Sequence, residues 1–285
     1  MPRFGAGAPR DVWRALRRHR AAVAALAALL VIGVASPMLP LVVALESEAI
    51  SADVLAPPSL GQPMGTDYLG RGILARVLLG INTSLLVGAG VAAISLAIGV
   101  MLGTTAGYYR GWVDHLIMRT ADGLLIVPTF FLVLSVAFIF GGRLASVIML
   151  VGVTSWPQIA RIVRAEVLAL KEEAFVVSAR ALGAGDVKVM VREILPNALP
   201  PVVAMVALLA SSGILTEASL SFLGVGDPSV ISLGQMLTSG LEYATGAWWV
   251  PAWPGAAIFV LVLLLNVLGD GLNVALNPRL RSVLR

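Results

Sequence analysis

The sequence predicts an all-α polytopic membrane protein with six transmembrane helices, and three observations support that class. First, 58% of the 285 residues are hydrophobic and only 13% are charged, whereas soluble domains average roughly 25% charged residues. Second, the mean hydropathy is +0.92. Third, several uncharged runs are long enough to cross a bilayer, which takes about 20 apolar residues in a helix. Lipid is therefore the expected solvent for most of the surface, and membrane lipid is an expected partner.

The placement of lysine and arginine predicts the topology, because these residues concentrate on the cytoplasmic side of membrane proteins. They lie in four regions of the chain: before residue 21, at 110–119, at 161–192 and after residue 278. The three exceptions are Arg71, Arg76 and Arg143. Both termini and the segment 161–200 are therefore expected in the cytoplasm. The formal net charge of +4 follows this topology, and no nucleic-acid partner is expected.

The first transmembrane helix is expected at 21–45, after a basic tail at 1–20. In that tail Val12, Trp13 and Leu16 oppose the arginines, which is typical of a helix lying on an anionic membrane face. A cleaved signal peptide is the alternative, since arginines precede an apolar run. Signal cores are shorter, about 7 to 15 residues, so a transmembrane span is favoured.

An external loop at 46–82 follows, and an interfacial helix is expected inside it, at 69–77, capped by Thr66 or Asp67. A ligand contact is the alternative for this stretch. The permease core, residues 83–276, is expected to hold the remaining spans, and 277–285 form a cytoplasmic tail. These spans are predicted at 83–106, at 121–140 with Pro128 inside, from 144 onward, at 201–222 and at 254–274. A short turn at 107–114 separates the first two.

The segment 161–200 is the one long polar passage in the second half of the chain. Good helix formers run from 162 to 182, and Gly183 and Gly185 then interrupt them, because glycine loses the most backbone freedom in a helix. Asp186 is expected to cap a second short helix. Pro196 and Pro200 are expected to end it, because proline lacks the amide hydrogen that a helix interior needs. The prediction is a helix, a sharp turn and a helix.

The first helix of this hairpin is expected to be amphipathic, with Leu168, Phe175, Ala179 and Leu182 on or near one face. Such an apolar face needs a cover. The rest of the same chain is the simplest one, and a partner protein is the alternative.

The sequence lacks the motifs of the common catalytic sites. It has no phosphate-binding Gly-x-x-x-x-Gly-Lys-Ser/Thr loop, no Gly-x-Ser-x-Gly elbow and no His-Glu-x-x-His helix. It also has no cysteine, and its two histidines, His19 and His115, are far apart. We therefore expect no catalytic residue, no metal site and no cofactor on this chain.

Two acidic residues fall inside predicted spans, where a buried charge is expensive and is by default a functional candidate. Glu217 lies toward the outer end of the fifth span. With Ser221, it is a candidate for the substrate pathway or for a gate. Asp270 lies near the inner end of the sixth span and is expected to be a local cap beside Gly269 and Gly271. Two acids are few for a proton relay.

Five stretches together resemble the permease subunits of ABC importers, in particular the C-type subunit of the dipeptide, oligopeptide and nickel family. They are SARALGAGDVKVMVREILPNALP at 178–200, GTDYLGR at 65–71, GYYRGWVDHLIMR at 107–119, EASLSFLGVG at 217–226 and LNVLGDGLNVALNPRLR at 265–281. The first is similar to the EAA loop of that family. Where the family has its first glutamate, this chain has Val177.

The resemblance implies a type I ABC importer permease architecture and a multi-pass protein of the bacterial inner membrane. It implies that the hairpin contacts an ATP-binding subunit through the residues around its turn, namely Ser178, Ala179, Arg180, Ala181, Leu182, Gly183, Ala184, Gly185 and Asp186. The implied partners are a homologous second permease subunit in a heterodimer, two ATP-binding subunits that carry ATP and Mg²⁺, and an external substrate-binding protein.

The resulting hypothesis is a subunit for peptide import that forms half of the translocation pathway. Displacement of the hairpin tip by the ATP-binding subunits would pass to the fourth and fifth spans. Nickel complexes or glutathione are the alternative substrates within the family. A secondary transporter or a membrane scaffold subunit is the alternative from another class.

Overall fold

The computed structural model describes residues 16, 17, 19–35, 38, 50 and 52–276. The chain is mostly helical, and its described part contains no strand, only an isolated bridge between Thr66 and Gly72. Most of the predicted basic tail, most of the outer end of the first span and the C-terminal tail lie outside the described residues. Leu16, predicted to face the membrane, is buried in a cluster with Ala22 and Ala275.

The helices, numbered in chain order within the described residues, have the following bounds. They are α1 (Arg20–Ala35), α2 (Ile73–Tyr109), α3 (Gly111–Ile126), α4 (Thr129–Phe140), α5 (Leu144–Leu170), α6 (Ala174–Ala181), α7 (Asp186–Lys188, continued by the π-helical Val189–Ile194 and the turn Leu195–Ala198), α8 (Pro200–Phe222), α9 (Leu233–Leu241) and α10 (Trp249–Leu276).

Four of these helices, α2, α5, α8 and α10, are long and apolar enough to cross a membrane. The pair α3 and α4 gives a fifth span if it is counted as one, although its two helices are bent by 78°. The bend lies at Val127 and Pro128, and proline disfavours a helical residue before it. The stretch 121–140, predicted as the third span, is therefore divided between two helices. Helix α1 is apolar but shorter, with 16 residues.

The longest helix, α2, packs along α5 through a row of glycines. A Cβ atom on Gly99, Gly103 or Gly107 would lie 2.5 to 2.8 Å from the nearest atom of α5. A side chain on α2 at any of these three positions is therefore excluded. Small residues four apart allow two helix backbones to approach closely in a membrane, where van der Waals packing replaces the hydrophobic effect.

The external loop differs from its prediction. Helix α2 begins at Ile73 and continues without a break to Tyr109, so the expected interfacial helix is not a separate element. Its N-cap is Gly72, which makes no side-chain cap. Asp67 instead accepts hydrogen bonds from the amides of Leu69 and Arg71 at 2.9 and 3.0 Å, and it pairs with the Arg71 guanidinium. The predicted cap is thus a residue that orders the preceding turn.

Two other boundaries were also predicted wrongly. The turn expected at 107–114 is reduced to Arg110, whose φ of +57° separates α2 from α3. Asp270 does not cap a helix end, because α10 continues to Leu276 and the Asp270 side chain is exposed.

Candidate functional site

The 161–200 hairpin contains the predicted turn, but its first helix is interrupted. Helix α5 ends at Leu170, three residues follow outside any helix, and α6 covers Ala174–Ala181. The continuous helix predicted at 162–182 is therefore wrong. The interruption lets α6 place Val176 in the same buried cluster as Val167 and Leu170 of α5.

The turn after α6 has the geometry that its glycine predicts. Gly183 has a φ of +80°, a conformation that residues with a Cβ atom rarely adopt. The amide of Gly183 donates to the carbonyl of Arg180 at 2.9 Å, and the amide of Ala184 donates to that of Ala179 at 3.1 Å. These two bonds form a Schellman motif, which satisfies the last carbonyl groups of a helix. The turn is a compact helix end.

The second arm of the hairpin is longer than predicted. Gly185, not Asp186, is the N-cap of α7, and Asp186 is its first helical residue. Pro196 and Pro200 do not end a helix. They occupy first-turn positions of the turn Leu195–Ala198 and of α8, where the missing amide hydrogen costs little. The arm therefore leads almost without interruption into α8.

The apolar face predicted for the first helix of the hairpin is buried only in part, since Leu168 is half-buried and Ala179 packs against the buried cluster. The inner face of the hairpin consists of Val176, Val189 and Ile194, which are fully buried. Of the four residues predicted for that face, Phe175 and Leu182 are 37% and 89% exposed. Since α6 starts after a break, the 3.6-residue period of α5 does not carry over to it.

Several apolar side chains of the hairpin remain uncovered by the rest of the described chain. We call them the outer face: Val177, Leu182, Val187 and Val191. Leu182 lies at the turn. All four are at least 55% exposed.

Two ion pairs fix α5 to α3 beside this hairpin. The Arg164 guanidinium donates two hydrogen bonds to the carboxylate of Asp114, at 2.5 and 2.6 Å, and Asp114 is 8% exposed. A bidentate pair of this kind fixes orientation as well as distance. Arg161 and Asp122 form a second pair at 2.6 Å, but both side chains are half exposed. The sequence assigned Asp114 to a turn and did not predict its partner.

The predicted pathway residues Glu217 and Ser221 lie together in α8 and are buried. Ser221 donates to Oε1 of Glu217 at 2.6 Å, and Ser232 donates to the same oxygen at 2.8 Å. Ser232 also caps α9 by accepting from the amide of Gly234. Glu217 thus joins α8 to the start of α9. Its other oxygen, Oε2, is buried without a hydrogen-bond partner in the described part of the chain.

Asp227 fixes the outer end of α5 to the loop after α8. Its Oδ2 accepts a hydrogen bond from the amide of Leu144, the first residue of α5, at 3.0 Å. Its Oδ1 accepts from the hydroxyl and the amide of Ser229. These hydrogen bonds favour the carboxylate, first those from Ser229 and then that from Leu144, so the pKa of Asp227 lies below its usual value.

Two family models match the sequence. Residues 99–282 match the binding-protein-dependent transport system inner membrane component. Residues 9–62 match the N-terminal transmembrane domain of oligopeptide transport permease C.

Similar proteins match this chain over nearly its whole length. A putative peptide transport system permease protein of Brucella abortus is 38% identical over 99% of this chain and 95% of its own. The glutathione transport system permease protein GsiD of Pectobacterium atrosepticum is 39% identical over 96% of this chain and 92% of its own. The di/tripeptide transport system permease protein DppC of Pseudomonas aeruginosa is 35% identical over 96% and 93%.

Among solved structures, an inward-facing form of the MetNI methionine ABC transporter has a chain of similar fold. The TM-score is 0.56 at 20% sequence identity, and the match covers 72% of this chain and 98% of the other.

Proposed function

We propose that this chain, which belongs to the family of binding-protein-dependent transport system inner membrane components, forms one half of the pathway that carries di- or oligopeptides across the membrane. Membership makes it a permease subunit of an ABC importer and a multi-pass protein of the inner membrane. Family membership favours this function over a secondary transporter or a membrane scaffold.

The exposed turn of the 161–200 hairpin is the observation that supports the coupling role. Leu182 is 89% exposed at the turn, while the inner face of the same hairpin is fully buried. We assign Ser178, Ala179, Arg180, Ala181, Leu182, Gly183, Ala184, Gly185 and Asp186 to the contact with an ATP-binding subunit. ATP and Mg²⁺ belong to that subunit in this proposal, and this chain supplies no catalytic residue.

The full assembly would contain two ATP-binding subunits, a homologous second permease and an external substrate-binding protein. We propose six spans with both termini in the cytoplasm, with α1 as the inner part of the first span and α3 with α4 as the third. The concentration of basic residues in the termini and in the hairpin supports this topology.

Peptide is the proposed substrate because the similar proteins include permeases named for peptide and for di/tripeptide transport. Glutathione is the second candidate, since GsiD is as similar to this chain as they are. Glutathione is itself a tripeptide derivative. It differs from an ordinary di- or oligopeptide in backbone connectivity and charge. A nickel complex stays the third alternative.

Reconstitution of the chain with the proteins encoded beside it tests the proposal. The co-purified complex should contain ATP-binding subunits, and proteoliposomes that carry it should accumulate labelled dipeptide only with ATP and the external receptor. Accumulation without ATP would contradict the ABC mechanism. Accumulation of glutathione with no dipeptide uptake would contradict the peptide assignment alone.

We also propose that Glu217 and Ser221 belong to an outer gate. Glu217 holds the start of α9 to α8 through a hydrogen bond from Ser232. A movement that separates these two helices would have to break this bond. A typical hydrogen bond contributes about 0.5 to 1.5 kcal/mol net, and a buried partner left unsatisfied costs about 1 to 3 kcal/mol. That is enough to hold one arrangement of the two helices over another.

Glu217→Ala should loosen this contact and lower uptake about tenfold, because two buried hydroxyls lose their acceptor at about 1 to 3 kcal/mol each. Glu217→Gln keeps an acceptor oxygen in the same place and is the matched control. We expect its uptake to stay within about twofold of the wild type, since the amide oxygen can accept both bonds. Initial rates of dipeptide uptake in proteoliposomes measure both. Equal, normal rates for the two variants would remove Glu217 from the gate.

A further inference from the structure

The residue that connects the hairpin tip to the membrane helices is Tyr108, one residue before the end of α2. Its side chain packs in the same buried cluster as Val176 and Val189 of the hairpin, and it is 3% exposed. Its hydroxyl donates a hydrogen bond to Oδ1 of Asp186 at 2.5 Å. Asp186 is the first residue of α7, directly after the turn. A short bond to a carboxylate is among the stronger hydrogen bonds of proteins.

Two cations of the hairpin also lie close to the ring of Tyr108. Nζ of Lys171 is 5.0 Å from the ring centroid, and Cζ of Arg180 is 4.9 Å from it. The face of an aromatic ring attracts cations at such distances. The Lys171 ammonium also donates to the carbonyl oxygen of Tyr108. Burial, and then the positive charges of Arg110 and Arg180, place the pKa of Lys171 below its usual value.

These contacts reach three separate parts of the hairpin. Lys171 follows the end of α5, Arg180 is in α6, and Asp186 begins α7. Between Arg180 and Lys188 only Ala184 is partly buried, and the rest of the tip is exposed. The cluster of apolar residues holds the base of the hairpin. The side-chain bonds of the described tip to the membrane helices therefore converge on Tyr108.

We propose that Tyr108 is a positioning residue that makes the hairpin tip and α2 move as one body. The inference rests on the proposed coupling function and adds a route to it. The sequence predicted that displacement passes along the chain to α5 and α8. Through Tyr108 it also reaches α2, which spans the membrane and packs along α5 at Gly99, Gly103 and Gly107.

Tyr108→Phe removes the hydroxyl and leaves the ring with its two cations. In the reconstituted importer, we expect ATP hydrolysis to stay within about twofold of the wild type. The amount of peptide transported per ATP should fall about tenfold, the equilibrium effect of losing one charge-assisted hydrogen bond. Tyr109→Phe is the matched control, because Tyr109 is the neighbouring residue and is 47% exposed. It should keep the wild-type ratio.

A double-mutant cycle identifies the partner. Asp186→Ala should lower the transport ratio at least as much as Tyr108→Phe does, because Asp186 also belongs to the proposed contact with the ATP-binding subunit. Adding Tyr108→Phe to Asp186→Ala should lower the ratio no further, because the bond that it removes is already lost. A double variant whose transport ratio falls by the product of the two single reductions would overturn the proposal. So would an unchanged ratio in Tyr108→Phe while the wild-type importer performs ATP-driven uptake. If the wild type itself shows no ATP-driven uptake, the proposed function fails instead.

A second measurement does not depend on transport. The chain has no cysteine, so Val187→Cys introduces a single site for a spin label on the exposed tip. The label should become more mobile when Tyr108→Phe is added and remain unchanged when Tyr109→Phe is added. Equal mobility in all three proteins would contradict the positioning role.

Discussion

Leu182→Asp should reduce ATP-driven uptake at least about tenfold while the chain inserts and folds normally. The side chain is 89% exposed, so the change removes no packing within the described chain. In the assembled importer the proposed contact would bury the new carboxylate, and an unpaired buried charge costs several kcal/mol, where each 1.4 kcal/mol is a factor of ten. Uptake into proteoliposomes and the amount of co-purified ATP-binding subunit measure the loss.

The matched control is Leu60→Asp, the same change at a fully exposed leucine of the loop before α2. It should leave uptake unchanged. Normal uptake in Leu182→Asp would remove the turn from the coupling contact.

Leu182 is a better residue for this test than its neighbours. Gly183 needs a positive φ, and Ala179 packs against the main buried cluster, so large changes at either residue would also disturb the hairpin itself.

Gly103→Leu should prevent the folded arrangement of α2 and α5. A Cβ atom at this position would lie 2.6 Å from the carbonyl oxygen of Ala160 and 2.8 Å from Cβ of Val163. The obstacle includes backbone, which cannot rotate away as a flexible side chain can. Overpacking typically costs 1 to 3 kcal/mol, and we expect about 3 kcal/mol or more here. The fraction of protein that elutes as a single species from detergent after heating measures this loss.

Gly123→Leu is the control for that experiment. Gly123 is also helical, but nothing lies within 4 Å of a Cβ added there, so its elution should match the wild type. A Gly103→Leu protein as heat-resistant as the wild type would contradict the close packing of α2 on α5.

The turn of the hairpin was predictable because it depends on local chemistry. Gly183 favours the positive φ that a Schellman motif needs, and the structure has that motif at the predicted residues. The long helices were also predictable from the apolar runs. The length and composition of a run decide whether a helix can cross a membrane.

The faces and contacts of the hairpin were not predictable in this way. The break after Leu170 resets the helical period, and no residue in that stretch is a strong helix breaker. Glu217 and Ser232 are fifteen positions apart and meet only because α9 folds back on α8. Tyr108 and Asp186 are 78 positions apart. Contacts of this kind depend on tertiary packing, which propensity does not determine.

One signal in the sequence would have predicted the packing of α2. Gly99, Gly103 and Gly107 are spaced four apart in an apolar helix, which is the pattern of a close helix contact in membranes. That spacing does not name the partner helix. The structure identifies α5, through Ile159, Ala160, Val163 and Val167.

A cryo-electron microscopy map of the importer assembled with its ATP-binding subunits tests the central claim most directly. We expect residues 179–186 to lie in a groove of an ATP-binding subunit, with Leu182 buried by it and with the hydroxyl of Tyr108 still bonded to Asp186. A map with these residues in open solvent or against lipid, and no ATP-binding subunit beside them, would contradict it.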